Sequence, residues 1–339
     1  PMDLARAPLA RAALVKTVSG ESLLCLAAHH LVVDAVSWSH LVDDLGHLYD
    51  QRRAGREPAL PPVMTSVGQW VDLLAESAPG IDPKPWLSVT QAVAGSWPGR
   101  RTGPLASHRR SLSPELTERL VSGASEWRIG VDEIIVAAAA QTLAGIQHSP
   151  SMRVFVEGHG RGSDSDRIDV TRTMGWFTSL FPVAMQVPGH LPPDRAALRL
   201  RDQIREVSAT GRDYGVLRYL HEDPALREAL ALDCGVHAVV KYLGQVTAPR
   251  TGRSMQAGAV VRLSRPRHTA TVFGAEITAY IDDDALVLDW TGNDDALLAH
   301  GVAAMVGHVR KIVDAFDSGG YAHGVVGGAS EWRIGVDEI

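Results

Sequence analysis

The sequence predicts a mixed α/β or α+β sandwich, and three observations carry that expectation. Strand-like and helix-like segments occur together in both halves of the chain. The helical segments carry apolar stripes near helical spacing. Of 339 residues, 45% are apolar and 21% charged, enough to bury a substantial core in two domains or one two-lobed unit.

In chain order, residues 23–28 (LLCLAA) read as a strand. A helix follows Asp34, with Val36, Leu41, Val42, Leu45, Leu48 and Tyr49 on one face, and a second apolar segment covers 67–74. Residues 97–104, rich in Pro, Gly and Arg, read as a linker. Ser113-Pro114-Glu115 is a helix start, with Ser as cap and Pro in the first turn. Residues 131–146 form a buried helical face through Val131, Ile134, Ile135, Ala138, Ala139, Leu143 and Ile146. Strands are expected at 152–156 and 180–187, then a helix with Ala197, Leu200, Ile204 and Val207 on one face. Residues 276–281 and 285–290 read as strands joined by the turn Asp282-Asp283-Asp284. The last helix, 294–316, carries Leu297, Leu298, Gly301, Val302, Met305, Val309, Ile312 and Phe316 along one stripe.

Composition narrows the function. A net charge of -6 and a pI near 6.2, with no basic stripe, argue against nucleic acid as a partner. No unbroken apolar run of transmembrane length and no export signal is expected, so a membrane partner is not implied. Cys25 and Cys234 lie far apart without metal-ligand spacing and fit small buried hydrophobes in a reducing cytoplasm. Residues 123–134, GASEWRIGVDEI, recur identically at 328–339. A single copy is not a repeat architecture, and residues 319–339 are read as a tail outside the functional unit.

The chemistry concentrates at residues 29–38, HHLVVDAVSW. Two imidazoles, His29 and His30, are held on a short connection between a strand and a helix, where loops tend to carry function. A histidine titrates near neutrality and can take a proton and return it. Read alone, the pair is equally a strand end with two histidines, one of them capped.

Four further stretches line up with it: VEGHGR (156–161), TRTMGWFTSLFPV (171–183), GRDYGVLRYL (211–220) and KYLGQV (241–246). In this order and spacing the set resembles the epimerization domain of nonribosomal peptide synthetases, a branch of the condensation-domain superfamily, over residues 1–316. Val36-Ser37-Trp38, Glu157, the GWFTSLFPV run and YLGQ favour epimerization over condensation. The resemblance implies a two-lobed chloramphenicol-acetyltransferase-like fold. Residues 1–100 would form a partial N-terminal lobe and 101–318 the C-terminal lobe, with the active site between them. It also implies L-to-D inversion of an aminoacyl or peptidyl thioester on the phosphopantetheine arm of a peptidyl carrier protein, beside other synthetase domains. No intrinsic cofactor is implied, because the thioester carbonyl itself delocalises the carbanion.

On this resemblance His30 is the base or acid on one face of the substrate and Glu157 its partner on the other, a role that asks for a desolvated carboxyl. His29 is a packed, hydrogen-bonded histidine. Asp34 anchors the loop through an arginine, for which Arg161 is the candidate. His159 is read as solvated or structural, and Trp176 and Phe177 as packing residues. Tyr242 either orients the enolate or thioester oxygen or simply packs. Condensation, or a non-catalytic carrier-docking module, are the alternative functions. The chain departs from the family pattern at Ala35, where a glycine is usual, and at Lys241, where an uncharged asparagine is usual. Asp213 replaces a glycine in an expected turn. The family's opening stretch before Pro1-Met2-Asp3-Leu4 is also absent, so the resemblance implies a truncated first lobe with part of its sheet uncovered.

Overall fold

The computed structural model describes residues 2–20, 22–92, 102–162, 168–231, 237–245 and 273–319. Strands β1 (Ala10–Lys16) and β2 (Ser22–Ala28) pair antiparallel, with Ala10 opposite Ala28 and Lys16 opposite Ser22. A single 3₁₀ turn, His30–Val32, leads into α1 (Ala35–Arg53), which Asp34 caps by accepting from the Ser37 N–H. Helix α2 (Val67–Ser77) opens on a reciprocal Ser66–Gln69 capping box, and α3 (Lys84–Gln91) follows. After β3 (Ala106–Ser111), Ser113 caps α4 (Pro114–Glu126), and α5 (Val131–Gln147) leads to β4 (Ser151–Gly158). Then come β5 (Ser179–Gln186), α6 (Pro193–Ser208), α7 (Gly211–Tyr219) and α8 (Pro224–Ala229). The chain returns through β6 (Ala238–Gln245), β7 (Ala275–Asp282) and β8 (Ala285–Gly292) to α9 (Asp295–Ser318), capped by Asp294.

The second sheet has the order β3-β8-β7-β6-β4-β5, parallel across β4–β6–β7 and antiparallel elsewhere. Alternation along β7 decides its two faces. Ala275, Ile277 and Ala279 are fully buried, while Glu276, Thr278 and Tyr280 are only half-buried. Helices α5, α6 and α9 close the apolar face, with Trp290, Leu288, Val240, Leu143 and Met305 in one continuous core. The β7–β8 turn uses Asp283 and Asp284 at φ 46° and 65°, two left-handed residues that match the strand twist of a tight hairpin.

Gly301 of α9 lies against the buried Trp290 ring, which a Cβ there would overlap. Overpacking of about 1–3 kcal/mol opposes a helix-propensity gain of about 1 kcal/mol. Gly301→Ala is therefore expected to lose about 1 kcal/mol in chemical denaturation, and a variant as stable as the parent would show that Trp290 moves freely.

Several expectations are corrected. Cys25 is exposed rather than buried, because both strands of the β1–β2 hairpin expose their side chains, Leu14, Leu23 and Leu24 among them. Cys234, most of the 97–104 linker, Val246 and the duplicated tail from 320 onward lie outside the described residues. The GRDYG segment is no turn but the start of α7, with Asp213 in its first helical turn. Gly211 is required there because a Cβ would overlap Phe181. Ala35 needs no glycine freedom, being the first residue of α1. Helix α9, at 24 residues, is long and apolar enough by composition to cross a membrane. Its apolar stripe is instead buried in the main core, from Leu298 to Phe316. Trp86 of α3 also belongs to that core, touching Phe181 and Tyr214, so the core extends back before residue 100.

Candidate active site

The backbone of β2 delivers the histidine pair. The His29 N–H donates to the Leu9 carbonyl at 2.8 Å, and its Nδ1 accepts from the Leu31 N–H at 3.2 Å. His29 is thereby spent on holding the turn. His30, one residue on, is exposed, and its ring faces that of Trp176 at 4.7 Å between centroids. Trp176 is 51% exposed, so this ring flanks the imidazole instead of filling a core. Phe177 is buried, packing against Trp70.

Asp34, 3% exposed, accepts four hydrogen-bond contacts through its two oxygens. Oδ1 takes the Ser37 N–H at 2.7 Å and Arg161 Nη2 at 3.0 Å, and Oδ2 takes Arg161 Nη2 at 3.2 Å and the Phe177 N–H at 3.1 Å. Arg161 donates further to Ser37 Oγ at 2.9 Å and to the carbonyls of Val170 at 2.7 Å and Thr173 at 2.8 Å, and its guanidinium lies 4.1 Å from the Phe177 ring centroid. Two charges leave water here, and the surrounding hydrogen bonds offset much of their desolvation. Gly160 makes the turn possible: its φ is +66°, and a Cβ would overlap the Phe177 carbonyl. Burial, helped by the Arg161 charge, holds His159 below the ordinary imidazole value, so its neutral Nδ1 accepts the Arg161 N–H at 3.1 Å.

Glu157 lies at the end of β4, opposite Leu180 of β5. Parallel pairing of Val156 with Val240 sets Glu157 beside Lys241 on the same sheet face. Lys241 Nζ lies 3.1 Å from Glu157 Oε1 and 2.6 Å from Glu276 Oε1 on β7. Burial works against the lysine charge, but the two carboxylates outweigh it and its pKa stands above the ordinary lysine value. The desolvated carboxyl expected at Glu157 is instead 25% exposed and ion-paired. Sequence reasoning missed Glu276, because a polar residue on the open face of an alternating strand carries no special signal.

Tyr242 faces the other way. It pairs with the fully buried Ala279, packs against the main core, and burial, with the nearby Asp132 carboxylate adding, pushes its hydroxyl up to about 12. A bulge follows between Tyr242 and Gln245, with Gly244 at φ +66°. The structure thus groups His29, Asp34 and Arg161 around the histidine turn, groups Glu157 with Lys241, and sets Tyr242 on the helix-covered face. Residues 175–180 touch both groups: Trp176 meets His30, Phe177 meets Asp34, and Leu180 pairs with Glu157. Among the described residues, no group of three or more His, Cys, Asp or Glu side chains is placed to hold a metal ion.

The condensation-domain family model matches residues 1–318. Tyrocidine synthase 1 of Brevibacillus parabrevis is 30% identical over 259 residues, covering 73% of this chain and 24% of that protein. Bacitracin synthase 3 of Bacillus licheniformis is 29% identical over 256 residues, 72% of this chain and 4% of that one. The chain therefore spans only a small part of these curated relatives. Among solved structures, the epimerization domain from the third module of tyrocidine synthetase B is similar at a TM-score of 0.79 and 24% identity, covering 94% of this chain and 74% of that one. The first condensation domain of the CDA synthetase is similar at a TM-score of 0.66 and 18% identity, covering 92% and 69%. These likenesses show the fold: a mixed α/β chain with two sheet-bearing lobes of the chloramphenicol-acetyltransferase-like kind.

Proposed function

The chain belongs to the condensation-domain family, and we propose that it inverts the α-carbon of an aminoacyl or peptidyl thioester, L to D, in nonribosomal peptide synthesis. The substrate is held on the phosphopantetheine arm of a peptidyl carrier protein, in a cytoplasmic synthetase with neighbouring domains. The observation that carries this reading is the buried Asp34–Arg161 junction. It ties the loop bearing His30 to the turn that follows Glu157, so the segments carrying two groups able to move protons are linked by a buried ion pair. The likeness to a solved epimerization domain supports it.

The chemistry follows from the thioester. Breaking the Cα–H bond leaves an electron pair that the thioester carbonyl takes up as an enolate. One of His30 and Glu157 receives the proton, and the other delivers a proton to the opposite face, which inverts the centre. In this reading residues 1–100 and 101–318 supply the two lobes, except that Trp86 of α3 packs into the core of the second, and 319–339 lie outside the working unit.

Incubating the chain with an aminoacyl carrier protein in D₂O is expected to replace the α-hydrogen by deuterium and to yield both enantiomers. A condensation reading draws support from the family match and the solved condensation domains. Dipeptide from donor- and acceptor-loaded carriers, without exchange, would establish that reading instead. Carrier binding with neither product would leave only a docking module.

A further inference from the structure

We propose that Lys241 is a further catalytic residue of this reaction, donating to the thioester oxygen as negative charge develops there, and that Glu276 is the positioning residue that holds it. The proposal rests on the epimerization reading. An ammonium has three N–H donors. Among the described residues, two are taken by Glu157 at 3.1 Å and Glu276 at 2.6 Å, which leaves one for a substrate. Lys241 is 23% exposed, on the sheet face that the α5, α6 and α9 layer does not cover. A substrate whose α-proton reaches Glu157 carries its carbonyl oxygen two bonds from that α-carbon, on the side where Nζ stands 3.1 Å from the carboxylate.

The second carboxylate explains how the lysine keeps its place. A group that takes up and returns the α-proton is neutral for part of each cycle, and the Lys241–Glu157 ion pair lapses for that interval. Glu276 takes no part in the proton transfer, so its shorter contact holds Lys241 throughout. Burial opposes the charge, yet the two carboxylates keep Lys241 a cation. In the step itself, the Cα–H bond breaks, its proton goes to Glu157 or His30, and the electron pair moves onto the thioester oxygen. Lys241 donates a hydrogen bond to that oxygen and keeps its proton, and the other acid/base group then protonates the opposite face. A donor aimed where charge develops acts more strongly on the transition state than on the ground state.

Lys241→Met alone leaves two carboxylates facing each other, so the working variant is Lys241→Met with Glu276→Gln, its fold checked by thermal melting. The probe is a panel of L-aminoacyl thioesters of pantetheine, followed by α-deuteration and inversion in D₂O. The double variant is expected to lose about 100-fold in kcat, as removal of an oxyanion donor does, with KM nearly unchanged. Lys241→Asn should keep part of the rate through its amide donor, and Glu276→Ala should lower kcat with little change in KM. The loss should be the same at every pH. A folded double variant with parental kcat, or a loss that disappears as pH is raised, overturns the proposal; the latter would mean that Lys241 serves only the charge of Glu157. Should the parent chain invert no thioester, and His30→Ala change nothing, the epimerization reading itself fails and the proposal falls with it.

Discussion

His30→Ala and Glu157→Gln are each expected to lower the rate of inversion by about 10²–10⁴-fold, the range over which a positioned proton-transfer group acts. The two variants should differ in a way that only a two-sided mechanism produces. With one group removed, the other still takes and returns a proton on its own face. Inversion is lost from either enantiomer, while deuterium wash-in survives from one enantiomer and disappears from the other. The surviving enantiomer should be opposite in the two variants. Glutamine keeps the shape of Glu157 and an oxygen for Lys241, so a loss in that variant reads on proton transfer more than on packing. Chiral analysis of product and mass shift of recovered substrate measure the two quantities separately. Undiminished inversion in both variants would end the assignment.

Asp34→Ala is expected to destabilise the chain by about 3–5 kcal/mol, because it strands the Arg161 guanidinium as a buried, unpaired charge. The side chains of Arg161 and Asp34 are 6% and 3% exposed, so water does little to relieve that loss. Arg161→Ala should cost a similar amount, since it also abandons the carbonyls of Val170 and Thr173. Exchanging the two charges would not restore either loss. Asp34 also caps α1 and accepts the Phe177 N–H, roles that an arginine lacks the acceptors to fill. The informative measurement is a double-mutant cycle in chemical denaturation. The D34A/R161A pair should lose clearly less than the sum of its parts, and a coupling under about 0.5 kcal/mol would show that the two act independently. Because this junction joins the histidine turn to the turn after Glu157, both single variants should also lose inversion activity before they unfold.

The amino-acid sequence by itself determined the elements whose rules are local. Asp34, Ser113 and Asp294 stand where helices begin and cap them. Strict alternation marks β7, and the acidic turn marks the hairpin to β8. The resemblance implies an arginine partner for Asp34, and only the position of Arg161 beside Glu157 nominates it; the fold brings the two together. Other features depended on neighbours far away in the chain. The close approach of the Phe181 ring to Gly211 and the exposure of Cys25 are set by tertiary packing, not by the local residues.

Register decided the rest. Parallel pairing across β4, β6 and β7 aligns Glu157, Lys241 and Glu276, and the same pairing turns Tyr242 to the opposite face. A shift of one residue would reverse both outcomes, because strand side chains alternate. Propensity and capping act over a few residues, whereas strand register is set by which distant segments bury their apolar faces together. That is why motif order could nominate His30 and Glu157 as the proposed proton-transfer pair, and only the folded sheet set Lys241 and Glu276 beside Glu157.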